Sequence, residues 1–133
     1  MATGNTSRKL YPMELCATKG LIVVAGSCEL DGTSDPVNAR GDGFSVARSD
    51  EGEFVITLPE LYPGMVSAVA SFEDELGDAD DDTLLTFETY DPTTGTLPVR
   101  VTVASVLTDF DGGERINFVL YFQKYTALNV THD

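Results

Sequence analysis

In the stretch ERINFVLYFQKY, residues 114–125, every second side chain from Ile116 to Phe122 is large and apolar, and this alternation is the clearest indication of the fold. Successive side chains of a β-strand point to opposite faces, so one face of this stretch is wholly apolar: Ile116, Phe118, Leu120 and Phe122. The opposite face is mixed: Asn117, Val119, Tyr121 and Gln123. The pattern therefore predicts a strand with one buried face.

The same period-two alternation recurs along the chain, and no stretch has a sustained helical period. Turn residues separate the alternating stretches, notably YPG at 62–64 and DPTTG at 91–95. We predict an all-β chain, an antiparallel β-sandwich or jelly-roll-like domain of about seven strands, whose order the sequence leaves open between jelly-roll and immunoglobulin-like topologies. The candidate strands are 21–30, 43–48, 53–58, 65–73, 82–91, 97–105 and 114–125.

Length and charge limit the possible partners. A chain of 133 residues suits one domain, which buries roughly two thirds of its unfolded surface. Eight Lys and Arg against twenty-two Asp and Glu give a net charge of −14, which repels nucleic-acid backbones and anionic lipids. No run approaches the ~20 apolar residues of a membrane span, and the first residues lack a signal-peptide core. We therefore expect a soluble, unexported protein with no nucleic-acid or membrane partner.

The first nineteen residues differ chemically from the rest. They contain Arg8, Lys9 and Lys19, three of the eight cations, and they lack strand alternation. The sequence therefore predicts two parts: an extended N-terminal arm over 1–19 and a β-sandwich domain over 20–133.

The tripeptide Arg40-Gly41-Asp42 matches a motif that cell-adhesion receptors recognise in animals. Those receptors need the carboxylate at the tip of a mobile loop, whereas Gly43 and a candidate strand from Phe44 follow Asp42 at once. We interpret the tripeptide as a turn into that strand, with Gly41 and Gly43 allowing the backbone to turn at low steric cost.

Two acidic segments contain enough carboxylates to be considered as cation sites. In the segment 73–82 the carboxylates of Asp78, Asp80 and Asp82 alternate, but Thr83 and Thr89 stand where a calcium-binding EF-hand loop needs Gly and Glu. The second segment contains Asp109, Asp111 and Glu114 around a DGG sequence, which is typical of a hairpin turn. We expect solvated hairpin loops and no bound metal.

Catalytic motifs are not evident in the sequence. The single histidine is His132, next to the end of the sequence, so no Ser-His or Cys-His pair is indicated. There is no phosphate-binding glycine loop and no Cys and His pattern for zinc. We therefore expect no enzymatic activity and no cofactor. The two cysteines, Cys16 and Cys28, are expected to stay unpaired in a reducing cytoplasm.

Four motifs carry a family resemblance: GDGFSVAR at 41–48, GEFVITL at 52–58, YPGMVSA at 62–68 and RINFVLYF at 115–122. Their succession resembles a group of small structural proteins of tailed bacteriophages, the capsid decoration (cement) proteins and virion fibre domains. The match covers about residues 20–73 and 114–123, while the acidic middle departs from it. The resemblance implies a β-sandwich that acts as a homotrimer on the virion, and fold alone would not indicate that role.

The resemblance implies the major capsid protein as partner and the capsid surface, after synthesis in the bacterial cytoplasm, as location. On this hypothesis the arm contacts the outer shell and the trimer stabilises it. A head-fibre or tail-fibre domain that recognises a host glycan or protein is the alternative. A cellular carbohydrate-binding or adhesion module, a third class, would predict an export signal. The expected capsid-contact residues are Arg8, Lys9, Leu10, Tyr11, Pro12, Met13 and Leu15.

Overall fold

The computed structural model describes residues 20–74 and 83–124, which form two antiparallel β-sheets packed face to face. Within these residues there are nine strands and no helix, so the predicted all-β sandwich is confirmed. The strands are β1 Leu21–Asp31, β2 Ser34–Arg40, β3 Ser45–Asp50, β4 Glu53–Thr57, β5 Gly64–Glu73, β6 Thr83–Phe87, β7 Thr96–Val103, β8 Val106–Leu107 and β9 Arg115–Gln123.

The first sheet has four strands in the order β2-β1-β9-β5. The second sheet has five strands. Four of them lie side by side in the order β3-β4-β7-β6, and the fifth, β8, pairs with β7. The central pairs β1 and β9, and β4 and β7, join strands that are far apart in sequence. The fold is therefore held together mainly by non-local pairing, which alternation in the sequence cannot specify.

The core lies between the two sheets and is filled by the predicted face of β9. Ile116, Phe118, Leu120 and Phe122 are all nearly or fully buried. From the second sheet, Ile56, Leu97 and Val99 pack in one cluster with Phe118, Leu120 and Phe122, while Phe54 and Val101 pack in a second cluster with Ile116. Burying a side chain of this size contributes about 2 kcal/mol to folding. The alternation that predicts β9 is thus the same alternation that builds the core.

The sequence did not predict β2 or β8. β2 contains Pro36 and is mostly exposed, and a proline is tolerated there because β2 lies at a sheet edge. β8 has only two residues, and it pairs with β7 across a turn at Ala104 and Ser105. Neither segment has the apolar alternation from which the other strands were predicted.

Residues 20–74 and 83–124 contain no helix with the length and apolar character that crossing a membrane requires.

Candidate interaction surface

The outward face of the four-stranded sheet is the most distinctive surface of the domain. Its nine central residues form three rows across β1, β9 and β5, because the strand registers align them. We call this surface the valine face. Its rows are Val23, Tyr121 and Ser67; Ala25, Val119 and Val69; and Ser27, Asn117 and Ser71.

The valine face carries neither a carboxylate nor a cation, in a chain whose net charge is −14. Val23 and Val69 are 55% and 60% exposed, although both are large apolar residues. Next to them, Val66 is the extra residue of a bulge in β5 and is 58% exposed. Isolated apolar side chains are common on protein surfaces, but a contiguous apolar patch indicates an association site.

The surface of the valine face is not flat. A shallow depression of about 250 Å³ is lined by residues that include Ala25, Ser71, Asn117 and Val119, with Val69 also along its lining. Small side chains on β1 and β5 leave this depression, Val69 and Val119 form part of its lining, and the exposed Val23 lies outside it. A surface with both a hollow and projecting side chains can interdigitate with a partner, as packed interfaces require.

A polar network closes one end of the valine face. Arg115 lies in the next row, between Glu29 and Glu73 in register, and is almost fully buried. Its guanidinium donates to Ser27 Oγ and to the carbonyl of Asn38, both at 2.7 Å, and lies 3.9 Å from a carboxylate oxygen of Glu29. The network fixes β2 against β1 and separates the uncharged rows from the charged end of the sheet.

The edge strand β5 borders the face. It pairs with β9, and among the described residues no strand pairs with its other edge. From Gly64 to Phe72 it contains no charged residue, and Glu73 is the first. Edge strands usually carry charges or prolines that prevent pairing with another chain, and this one has little such protection.

The predicted capsid-contact site lies entirely outside the described residues. The same holds for Asp78, Asp80, Asp82, Cys16 and His132. The predicted capsid-contact residues are Arg8, Lys9, Leu10, Tyr11, Pro12, Met13 and Leu15. Their role stays a prediction.

The second acidic segment is held by protein groups. Asp109 accepts two hydrogen bonds from the Arg48 guanidinium, at 3.1 and 2.7 Å, and one from the Gly52 backbone N–H at 2.9 Å. Glu114 is fully buried and accepts a hydrogen bond from Gly112 N–H at 2.7 Å. Across 20–74 and 83–124, no three His, Cys, Asp or Glu side chains are grouped so as to hold a metal ion.

The pKa of Asp109 follows from these contacts. Partial burial raises it, but the hydrogen bonds from Arg48 and Gly52 and the Arg48 charge outweigh burial and hold the pKa of this carboxyl below its ordinary value. Arg48 also donates to the carbonyl of Thr33 at 3.3 Å. The Arg48 and Asp109 pair therefore joins β3, the turn after β1 and the loop before β9.

Arg40 is the last residue of β2, and Gly41 and Asp42 begin the exposed turn that leads to β3. Gly41 and Gly43 have φ values of +104° and +87°, which a residue with a Cβ rarely adopts. Phe44 then turns inward, and its ring packs edge to face on Phe118 with centroids 5.1 Å apart. The structure agrees with the interpretation of this tripeptide as a turn.

Cys28 is a free thiol in the core. Burial raises its pKa to about 11, against a smaller lowering by the charge of Arg115. At neutral pH this cysteine is therefore a protonated, apolar core residue.

Comparisons of the chain with protein family models, with curated proteins and with solved structures find no match. The valine face thus has to be interpreted from its own chemistry. Sequence reasoning missed it because β5, with the sequence GMVSAVASFE, has small or apolar side chains on both faces. The one indication was the outward Val119 and Tyr121 of β9, where a solvated sheet usually has charged residues.

Proposed function

We propose that the chain is a capsid decoration (cement) protein of a tailed bacteriophage, which binds the outer shell and stabilises it as a trimer. The observation that carries this proposal is the valine face, an uncharged association surface on a sandwich that is otherwise acidic. The motif resemblance at 41–48, 52–58, 62–68 and 115–122 supports the same assignment. The proposed partner is the major capsid protein, and the proposed location is the virion surface.

The N-terminal arm is the proposed anchor. Its residues Arg8 and Lys9 give it positive charge next to a domain in which carboxylates outnumber cations, and its apolar residues, among them Leu10 and Tyr11, supply surface to bury. The described part of the chain begins at Gly20, whose carbonyl accepts a hydrogen bond from Lys124 N–H at 2.6 Å. The arm therefore joins the domain at one end of the four-stranded sheet. Three arms on one trimer would multiply the affinity of each.

The acidic domain suits an outward position. Carboxylates on the exposed part of each decoration protein would give neighbouring virions like charge, which opposes their aggregation. Bridging between capsid subunits would stabilise the shell by mass action, since the protein binds the assembled shell and not its separated subunits.

Deletion of residues 1–19 tests the proposal. The truncated protein should keep its oligomeric state and its thermal unfolding transition, and should fail to co-sediment with shells of the encoding phage from which accessory proteins were stripped. A variant with the same length of arm, in which residues 1–7 alone are deleted and replaced by Gly and Ser, is the control and should still bind. Binding of the truncated protein at full affinity would contradict the anchor. Binding to host cells but not to shells would favour a fibre domain.

A further inference from the structure

We propose that the valine face is the surface through which copies of this chain associate with one another. This inference adds a subunit interface to the proposed function. It rests on the proposed function only for the number of copies in the oligomer, which is three. The occupant is a second copy of the chain, for reasons of charge, exposed apolar area and shape.

Charge favours a copy as the occupant. Two copies with a net charge of −14 each repel one another, so stable contact requires a face on which no carboxylates are brought together. The nine residues of the valine face meet this condition. The outward face of the other sheet does not, because Glu53 and Arg100 pair in register there and Arg100 forms an ion pair with Glu88 at 2.7 Å.

Exposed apolar area supports the same conclusion. Val23 and Val69 are both more than half exposed and lie on opposite sides of Val119, which is partly exposed. Burying such side chains in a subunit interface removes them from water and stabilises the assembly. Uncharged residues at the centre and charged ones at the rim, here Glu29 and Glu73, match the arrangement of protein interfaces.

Shape and the free edge complete the argument. In a trimer the contacts are heterologous, so one patch of each copy meets a different patch of the next and the ring closes after three. The depression lined in part by Val69 and Val119, and the exposed Val23 and Val66 outside that lining, supply two such patches on one face. The same contact would cover the outer edge of β5, with which no strand pairs in the described ranges 20–74 and 83–124.

Sedimentation velocity of the full chain tests the inference. The variant combines Val69→Lys and Val119→Lys, which place two charges at the centre of the face. The matched control is Val106→Lys, at a valine that is 63% exposed in the other sheet. The wild type and the control should sediment near 43 kDa, the mass of three 14.3-kDa chains, and the double variant near 14.3 kDa. We expect its dissociation constant to rise roughly a hundredfold or more.

Circular dichroism and thermal unfolding establish that each variant is folded. If the lysine variant does not fold, Val69→Thr with Val119→Thr keeps the branched shape, and a smaller rise in the dissociation constant is expected. A double variant that stays as large as the wild type would overturn the inference, and so would a wild type that is monomeric at every concentration. If the wild type is monomeric and the Val69→Lys substitution abolishes its binding to shells, the valine face contacts the shell and not another copy.

Shell binding, measured separately, distinguishes this inference from the proposed function. A monomeric wild type that still binds shells would overturn the interface and the trimer, and would leave only shell binding of the proposed function standing. An oligomer that dissociates on substitution of the valine face but binds no shell would support the interface and contradict the proposed function.

Discussion

Gly41 lies at the point where the turn between β2 and β3 passes closest to β1. A Cβ at this position would lie 2.4 Å from the carbonyl oxygen of Ala25, whereas a Cβ at Gly43 would meet nothing within 4 Å. Both glycines have positive φ, so both substitutions to Ala add backbone strain, but only the first adds a clash.

We therefore predict that Gly43→Ala lowers the free energy of unfolding by about 1 kcal/mol, and Gly41→Ala by about 3 kcal/mol. Urea denaturation followed by circular dichroism measures both. Asp42→Ala, on the same exposed turn, is the control and should change stability little. Equal losses at the two glycines would show that the close approach to Ala25 is not a constraint.

Asp109 is held ionised by Arg48 and Gly52, and its lowered pKa makes stability depend on pH. A carboxyl with a lowered folded-state pKa stabilises the fold above its unfolded pKa, near 3.8, and this contribution disappears as pH falls through the folded value. We predict that Asp109→Asn costs about 2 kcal/mol at neutral pH. The difference from the wild type should narrow below about pH 4.

Chemical denaturation at a series of pH values measures this narrowing, with Asp42→Asn as the exposed control. A loss of stability that is the same at neutral and acid pH would contradict an electrostatic role for Asp109. The sequence placed Asp109 in a candidate cation segment and could not have found its partner, because Arg48 is 61 positions away and β3 brings it close only in the folded chain.

At the scale of the element, the turn between β7 and β8 is strained. Ala104 and Ser105 have φ values of +51° and +70°, the conformation of a type I′ hairpin turn, which Asn and Gly adopt at lower cost. We predict that Ala104→Asn combined with Ser105→Gly raises the free energy of unfolding by about 1 kcal/mol. For a domain of this size the midpoint of thermal unfolding should rise by about 2–5 °C.

Differential scanning calorimetry checks this prediction. Ser45→Gly introduces a glycine into the extended strand β3 and should lower the midpoint instead, because glycine is not needed there. A double variant with a lower midpoint than the wild type would mean that the observed turn is not limited by backbone strain.

The elements that could be predicted from sequence are those whose side chains alternate. β9 was placed from its alternation, and its inward residues are the core of the domain. β2 was not predicted because its own side chains are mostly exposed. Its position is fixed instead by pairing with β1 and by the hydrogen bond from Arg115 to the carbonyl of Asn38. Such strands depend on neighbours that the local sequence does not specify.

For the whole molecule, the fold class can be predicted from the sequence, but the set of residues that come together on one surface cannot. Alternation fixes which residues of β9 are buried, and turn residues separate the strands, so a sandwich can be predicted. The valine face exists because β1, β9 and β5 become neighbours, and β1 and β9 are separated by more than 80 residues in the chain. No local pattern indicates that three short uncharged segments will form one surface.

Charge distribution links the fold to the proposed function. The excess of carboxylates makes contact between copies unfavourable over most of the molecule, and the valine face is free of that penalty. Two separate contacts are therefore proposed: one between the N-terminal arm and the shell, and one between the valine faces of neighbouring copies. Loss of one contact should leave the other measurable.

Electron cryo-microscopy of stripped shells of the encoding phage, mixed with the purified protein, tests the central claim most directly. We expect ordered density on the outer surface, repeated at the threefold positions of the shell, with three sandwich domains meeting through the outward faces of their four-stranded sheets. Bare shells at saturating protein concentration, or density confined to the tail or to isolated fibres, would contradict it.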